Sequence, residues 1–413
     1  MILDEIKKIQ EYFDKGKPFD SMPHAHKQAS VTVTFVAPSL SAEGIYKMIL
    51  PAITLNKLSI THKAYIWGIH PFDPWRHIDK FDIEIPEELI AVSDVIVLPM
   101  VTYDISPIVE EIHRINKTTT IFYCIDINWL KVPVNYPNHK IYEPNETKDR
   151  ILENLKLCDG FITTSKLLIE YIDYTFGSDL QGTNILPVFM PIGYLNGITD
   201  NLNYDELPEV DPQKIVRLGL ICNPTHFDDI NCIRNELKTV MDKHGSDIEL
   251  IAFGWDGTIR QGKGFKDVFK GIPVTKVKAV SFYDYFQTLV DLQLDAVLIP
   301  ISKKDEFYMS CKNYIKFIEC SILHIPVIAT KIQPLSDIIT HMKTGILIEK
   351  KEDWITEIEL IIENHKETLE AGLSYRLDEL ANSSYNYVVS NHPYKRFLPL
   401  LEKVFVPKIK KKK

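Results

Sequence analysis

The chain has 413 residues, 45% of them hydrophobic and 25% charged, with a formal net charge of −9. This composition excludes a mainly disordered, collagen-like or coiled-coil chain, and the length fits two or three domains at about 150 residues each. The acidic balance leaves no global basic field for nucleic acid or anionic lipid, and the exception is the C-terminal run Lys408, Lys410, Lys411, Lys412 and Lys413.

Residues 1–20 mix both charge signs in an amphipathic pattern and lack the apolar core of a signal peptide. No run of about 18 apolar residues occurs, so no spanning helix is expected. VTVTFVA (31–37) is a short β-branched run that ends at Pro38-Ser39, and a small-residue loop then leads to Gly44. Ile45, Met48, Ile49 and Leu55 follow with helical spacing. Strand-like runs recur at 63–67, 94–98, 119–124 and 159–163, separated by helical stretches such as 106–116 and 147–157. Strands alternating with helices predict a parallel sheet covered on both faces.

Residues 194–213 are rich in Asn, Asp and Pro and read as a linker. A second alternation follows, with strands at 215–222, 248–253, 294–300, 326–330 and 345–348. Residues 352–405 are mainly helical, with a break at Asn391-His392-Pro393. The expected architecture is α/β, with two doubly wound Rossmann-like domains facing each other across a cleft. The first covers 1–200 and is rejoined by a crossing C-terminal helix at about 385–413; the second covers 201–384. Such sheets bind ligands outside the carboxyl ends of their strands, so the cleft is the expected site. Cys124, Cys158, Cys222, Cys232, Cys311 and Cys320 form no CxxC pair. They read as reduced thiols of a cytoplasmic protein.

The segment that carries chemistry is DAVLIPISKKDEFYMSCKNYIKFIECSILHIPVIAT (295–330). A strand ends at Pro300, a polar loop runs to Ser310, and a helix is expected from about Cys311–Asn313. Its N-terminal amides and positive dipole end suit a diphosphate. Lys312 and Lys316 are four residues apart, and Glu319 is three further on, placed to accept hydrogen bonds from a ribose diol. The same spacing is equally that of a surface lysine pair with a salt bridge.

KNYIKFIE followed by SILHIPVIAT resembles the KSxxKxxE…GxPVIAS signature of GT-B glycosyltransferases, in particular the retaining, family 4-like group that makes bacterial polysaccharides. LGLICNPTHFDDINCI (218–233) resembles that group's G…SPTHxxDL segment, and EGIYKMILPAITL (43–55) is similar to its GVGYYRxxxPAxAL segment. FYCIDINWLKVPVNYP (122–137) and CDGFITTSKLL (158–168) also have counterparts, in the right order.

The resemblance implies transfer of a hexose-type sugar from a nucleoside-diphosphate donor, UDP first, to a glycan or lipid-linked acceptor. No metal or other cofactor is expected. Glu319 matches the ribose-binding glutamate, whereas Cys311 stands where an acidic residue usually meets the donor sugar. Lys312, Asn313 and Lys316 match the diphosphate positions, with Lys312 and Lys316 expected to act in catalysis. Asn223, Thr225 and His226 lie where other members place an Arg and a Lys, and His226 alone reads equally as a structural residue. Gly44, Tyr46 and Lys47 match the loop glycine and Tyr-Arg pair and are expected to bind the donor, the glycine's missing side chain letting backbone approach the phosphates. Asp126 matches the first of two paired acids and is the third residue expected to act in catalysis, through an acceptor or donor-sugar hydroxyl contact; its other reading is a loop cap. Other readings are a phage-type transferase acting on hydroxylated DNA bases, a degenerate binding protein and a sugar-nucleotide epimerase. The Lys tail (408–413) reads either as a disordered solubilising tail or as a site for weak peripheral membrane contact.

Overall fold

The computed structural model describes residues 2–15, 19–20, 29–68, 84–125, 127–134, 136, 139–181, 183–200, 202–203, 215–255, 264–371 and 376–407. Asp126, residues 201 and 204–213 of the expected linker, and the Lys tail lie outside the described residues.

Two compact units divide the chain. The first comprises Met1–Val132, Lys140–Ile198 and His392–Lys413; the second comprises Pro133–His139 and Thr199–Asn391. Among the described residues the first unit holds seven strands: β1 (Phe19–Asp20), β2 (Val31–Ala37), β3 (His62–Gly68), β4 (Val95–Pro99), β5 (Thr120–Cys124), β6 (Gly160–Thr163) and β7 (Leu186–Phe189). Their order is β1-β3-β2-β4-β5-β6-β7. Only the two-residue β1 is antiparallel.

The second unit holds β8 (Val216–Ile221), β9 (Ile248–Phe253), β10 (Thr275–Val277), β11 (Ala296–Ile299), β12 (Val327–Thr330) and β13 (Ile346–Ile348). All its pairings are parallel, in the order β10-β9-β8-β11-β12-β13. The chain thus winds outward one way through β9 and β10, then returns past β8 and winds the other way. The two-sided alternation read from the sequence is the observed fold. Strands β1, β7 and β10 were not anticipated, because two to four residues are too few to show a period.

A recurring device sets the parallel register. Asp94, Asp159 and Asp295 each stand one residue before a strand, in SDVIV, CDGFI and LDAVL. Each donates its backbone N–H to a carbonyl of the neighbouring strand and accepts, on its carboxylate, the N–H of that same residue. Asp94 pairs in this way with Thr32 (2.9 and 2.8 Å), Asp159 with Ile121 (2.8 and 3.0 Å), and Asp295 with Arg217 (2.8 and 2.7 Å). The side chain supplies an acceptor for the N–H of the second residue of the neighbouring strand.

The C-terminal segment completes the first unit. Tyr194 and His392–Tyr394 exchange backbone hydrogen bonds, and the helix Tyr394–Val404 packs on the helix Leu50–Leu58. Glu402 accepts from the Ser59 hydroxyl at 2.6 Å. Buried His62, kept neutral by desolvation, donates from Nε2 to the Phe405 carbonyl at 3.2 Å. Phe405 is fully buried, edge-on to Phe35 of β2 and Phe122 of β5, at centroid distances of 5.3 and 5.9 Å. Eight residues from the chain's end, this ring is therefore part of the core under the first sheet. Phe405→Ala is expected to cost about 3–5 kcal/mol, read as a lower midpoint in urea unfolding.

Candidate functional site

The carboxyl ends of β8 and β11 form the switch point of the second sheet, since the chain leaves these two adjacent strands toward opposite edges. In open α/β sheets such a divergence is where ligands bind. Asn223-Pro224 follows β8 and begins a single 3₁₀ turn, Pro224–His226. Proline's fixed φ suits the first helical position, and the Asn223 carboxamide oxygen accepts from the Thr225 N–H at 2.9 Å and the Thr225 hydroxyl at 2.5 Å. Asn223 and Thr225 thus hold one another and shape the turn that presents His226.

His226 is one link in a chain of three charged or polar side chains. Its Nδ1–H donates to Asp229 Oδ2 at 2.9 Å, and its Nε2 accepts from the Lys316 ammonium at 3.3 Å. Asp229 is 3% exposed. Its other oxygen, Oδ1, accepts from the Ser302 N–H at 2.9 Å, in the loop after β11. One carboxylate therefore ties the loop after β8 to the loop after β11.

Burial, then the Lys316 charge, pushes His226 down to about 4, against the pull of Asp229. The ring is a neutral imidazole at pH 7, and its partners fix the Nδ1–H tautomer. Burial also lowers Lys316, opposed by the Asp229 and Glu319 carboxylates. Asp229 is held below the usual carboxylate range: burial raises it, but His226, Lys312 and the Ser302 amide outweigh that. The Cys222 thiol, at the end of β8, is pushed up to about 12 by burial and is neutral.

The helix carrying Lys316 starts later than its sequence suggests. Residues 306–310 already form a short helix, Glu306–Ser310; Cys311–Asn313 make a turn, and the second helix runs Ile315–Ile322. The Cys311 and Lys312 amides donate to Tyr308 and Met309 (3.2 and 3.1 Å), closing the first helix. Cys311 itself is 2% exposed. Asn313 Oδ1 accepts the first amide of the second helix, that of Ile315, at 3.2 Å. Lys312 therefore lies before this helix and not on a shared face with Lys316. Its ammonium stands 4.7 Å from the centre of the Tyr136 ring and 5.6 Å from that of Tyr308, a cation–π clamp.

Glu319 lies one turn below Lys316 and is 4% exposed. Its Oε2 accepts from the Tyr285 hydroxyl at 2.9 Å, and the Tyr285 ring is stacked between Phe253 at the end of β9 and Phe282. A carboxylate accepts several hydrogen bonds at once, which is the capacity a ribose diol requires.

The structure thus brings Asn223, Thr225, His226, Lys316 and Glu319 to the carboxyl-end loops of one sheet, with Cys311, Lys312 and Asn313 in the turn before the Lys316 helix. Asp229, Tyr285, Tyr136 and Ser302 were not anticipated. Asp229 had a signal, the His-x-x-Asp spacing that puts two side chains on one helical turn. Among the described residues, no three His, Cys, Asp or Glu side chains come together as a metal site.

Gly44, Tyr46 and Lys47 belong to the first unit. Gly44 precedes a π-helical segment, Ile45–Ile49, in which the Leu50 N–H reaches back to the Ile45 carbonyl. A Cβ at Gly44 would collide with the Ser39 carbonyl oxygen. What this glycine admits is therefore the chain's own loop after β2. Tyr46 and Lys47 are buried, and the Tyr46 carbonyl accepts from the Tyr394 hydroxyl.

No family model matches the sequence, and no curated protein matches it. Solved structures do match in three dimensions. A sucrose-phosphate synthase from Thermosynechococcus elongatus superposes with a TM-score of 0.58 at 10% identity, over 91% of this chain and 98% of that one. An E. coli trehalose-6-phosphate protein bound with UDP-2-fluoro glucose gives 0.55 at 10% identity, over 91% and 100%. The chain has the GT-B fold. A glycosyltransferase from Rickettsia africae gives 0.52 at 13% identity, over 93% and 100%. At such identities the likeness to GT-B proteins lies in the path of the chain.

A pH titration tests the partly buried imidazole. Between about pH 6.5 and about 4 the unfolded chain binds a proton at this histidine and the native chain does not. Stability contributed by the neutral ring is therefore full above that window and falls as pH drops through it, by up to about 1.4 kcal/mol per pH unit. The difference in unfolding free energy between the wild type and His226→Gln is expected to shrink over that interval, checked by denaturant titrations at pH 7, 6, 5 and 4.5.

Proposed function

We propose that the chain is a metal-independent, retaining glycosyltransferase that moves a hexose-type sugar from a nucleoside-diphosphate donor, a UDP-sugar first, to a glycan or lipid-linked acceptor. One observation carries this reading: two lysines, a histidine and a buried glutamate gathered at the switch point of a GT-B fold's second sheet. Lys312 and Lys316 suit a diphosphate, and Glu319 one helical turn away suits the ribose. Asn223, Thr225 and Asn313 shape the loops around them. The E. coli neighbour bound with UDP-2-fluoro glucose supports UDP as the first nucleotide to try.

In the proposed reaction the bond between the sugar's anomeric carbon and the β-phosphate oxygen breaks, and a bond to the acceptor oxygen forms on the same face. The acceptor's proton goes to the departing phosphate. The diphosphate gains negative charge as its bond breaks, so fixed positive groups stabilise the transition state more than the ground state. Lys316 and Lys312 do this chemistry in the proposal. On the resemblance alone, the Gly44, Tyr46 and Lys47 segment of the first unit is assigned to the donor and Asp126 to a sugar hydroxyl of donor or acceptor. The free state of all six cysteines accords with a cytoplasmic setting. Among the described residues, no helix is long and apolar enough to cross a membrane.

A second reading, nucleotide binding without transfer, is favoured by Cys311. The usual acid is absent there, and the neighbouring amides are used within the turn.

A thermal-shift panel of UDP, GDP and ADP with and without EDTA tests the binding step. A ligand at 100 times its dissociation constant adds about 2.7 kcal/mol to native stability. A shift with one nucleotide, indifferent to EDTA and lost in Glu319→Ala and Lys316→Ala, is expected; no shift with any of them refutes the proposal. Mixing the matching sugar nucleotide with candidate acceptors then separates the two readings. Release of free nucleoside diphosphate that depends on acceptor means transfer, and tight binding without release means the second reading.

A further inference from the structure

The switch-point cluster has more to say about how a diphosphate is received, given the reading above of the site as one for a nucleoside diphosphate. Among the described residues its charged side chains are Asp229 and Glu319 against Lys312 and Lys316. These cancel, so a diphosphate arrives with negative charge that the cluster does not match. One titratable group stands between the opposing charges. Nδ1–H of His226 already donates to Asp229 at 2.9 Å, while Nε2 faces the Lys316 ammonium at 3.3 Å. An imidazole with a buried carboxylate on one side and a cation on the other is neutral only while that cation's field is unopposed.

We propose that nucleoside-diphosphate binding here carries a proton with it: His226, held by Asp229, goes from neutral imidazole to imidazolium as the phosphates settle on Lys312 and Lys316. The proton comes from solvent and is bound at Nε2; no bond of the nucleotide changes. A phosphate oxygen taken by the two lysines cancels the positive field that keeps the proton off the ring. Asp229 continues to favour the charged form. The new Nε2–H is then a third cationic donor beside the diphosphate, and charge-assisted hydrogen bonds to phosphate are among the stronger ones.

Among the described residues, the groups acting on the ring come from three places. Asp229 comes from its own turn, Lys316 from the helix Ile315–Ile322 and Lys312 from the turn before it, and the neutral Cys222 thiol lies close to Lys316. The low affinity of the ring for protons in the present arrangement, about 4, makes room for a rise on binding. Asp229 acts through His226 and is a positioning residue. Its attachment to the Ser302 amide keeps the carboxylate behind the ring whichever way Lys316 turns.

Linkage makes the proposal measurable: if binding raises the proton affinity of His226, acidification must tighten binding by the same factor. Titration calorimetry with whichever of UDP, GDP or ADP binds, at pH 6 in buffers of different ionisation heat, counts the protons taken up. The wild type is expected to take up about 0.5–1 proton more than His226→Gln, and Asp229→Asn to lose most of that excess. The affinity of the wild type relative to His226→Gln should rise by about tenfold from pH 7.5 to 5.5. Subtracting the variant removes the nucleotide's own ionisation.

Equal proton counts in wild type and His226→Gln overturn this inference while leaving the nucleotide site standing. Absence of binding heat with all three nucleotides overturns the site reading and this inference with it. Should the variant not fold, the imidazole ¹⁵N shifts of the wild type at pH 6 decide: imidazolium values only with nucleotide support the proposal, and neutral values in both states refute it.

Discussion

A carboxylate buried between two diverging loops is the constraint on which the site depends. Asp229 is too well hidden from water to remain charged unless every neighbour compensates it. The compensation comes from His226 on its own turn and from the Ser302 amide on the far loop. Each of these contacts fixes a direction. The Ser302 bond sets the height of one loop against the other, and the His226 bond fixes a ring whose second nitrogen then selects the position of Lys316. Geometry propagates from one charge that cannot be left unpaired.

The sheet makes this arrangement possible. Parallel strands point all their carboxyl ends one way, so every loop that follows a strand opens at the same edge. The aspartates before β4, β6 and β11 anchor the opposite edge, pairing backbone and side chain with a single residue of the neighbouring strand. Register fixed at the entering edge determines, a few residues on, which loop residues can meet at the other. The first unit shows the same economy: Phe405, far along the chain, fills the space between β2 and β5 and closes that unit's core.

Much of this was legible in the residues. Short β-branched runs alternating with helical spacing announced two doubly wound sheets, because a strand buried on both faces must be apolar throughout and a covering helix must be apolar on one side. Lys316 and Glu319 stood out because their spacing is that of one helical turn. Lys312 was misplaced onto the same helix, since nothing in the string SCKNYI marks where the first helix closes and the second begins. That boundary rests on backbone bonds from Cys311 and Lys312 to Tyr308 and Met309. Tyr285 and Tyr136 left no trace, because an aromatic residue at helical or loop spacing looks like core until its partner is known.

The sequence by itself determined the class of each element, the two-sheet architecture and the kinds of side chain available at the second sheet's carboxyl edge. These depend on local periodicity and composition, which a linear string carries in full. Tertiary structure alone decided that Asp229 and Lys316, 87 positions apart in the chain, act on the two nitrogens of one histidine. It also decided that Tyr285 holds Glu319 and that Lys312 lies over a pair of touching tyrosine rings. The physical reason is that charge compensation and burial are properties of a neighbourhood, and the neighbourhood exists only once the strands have paired.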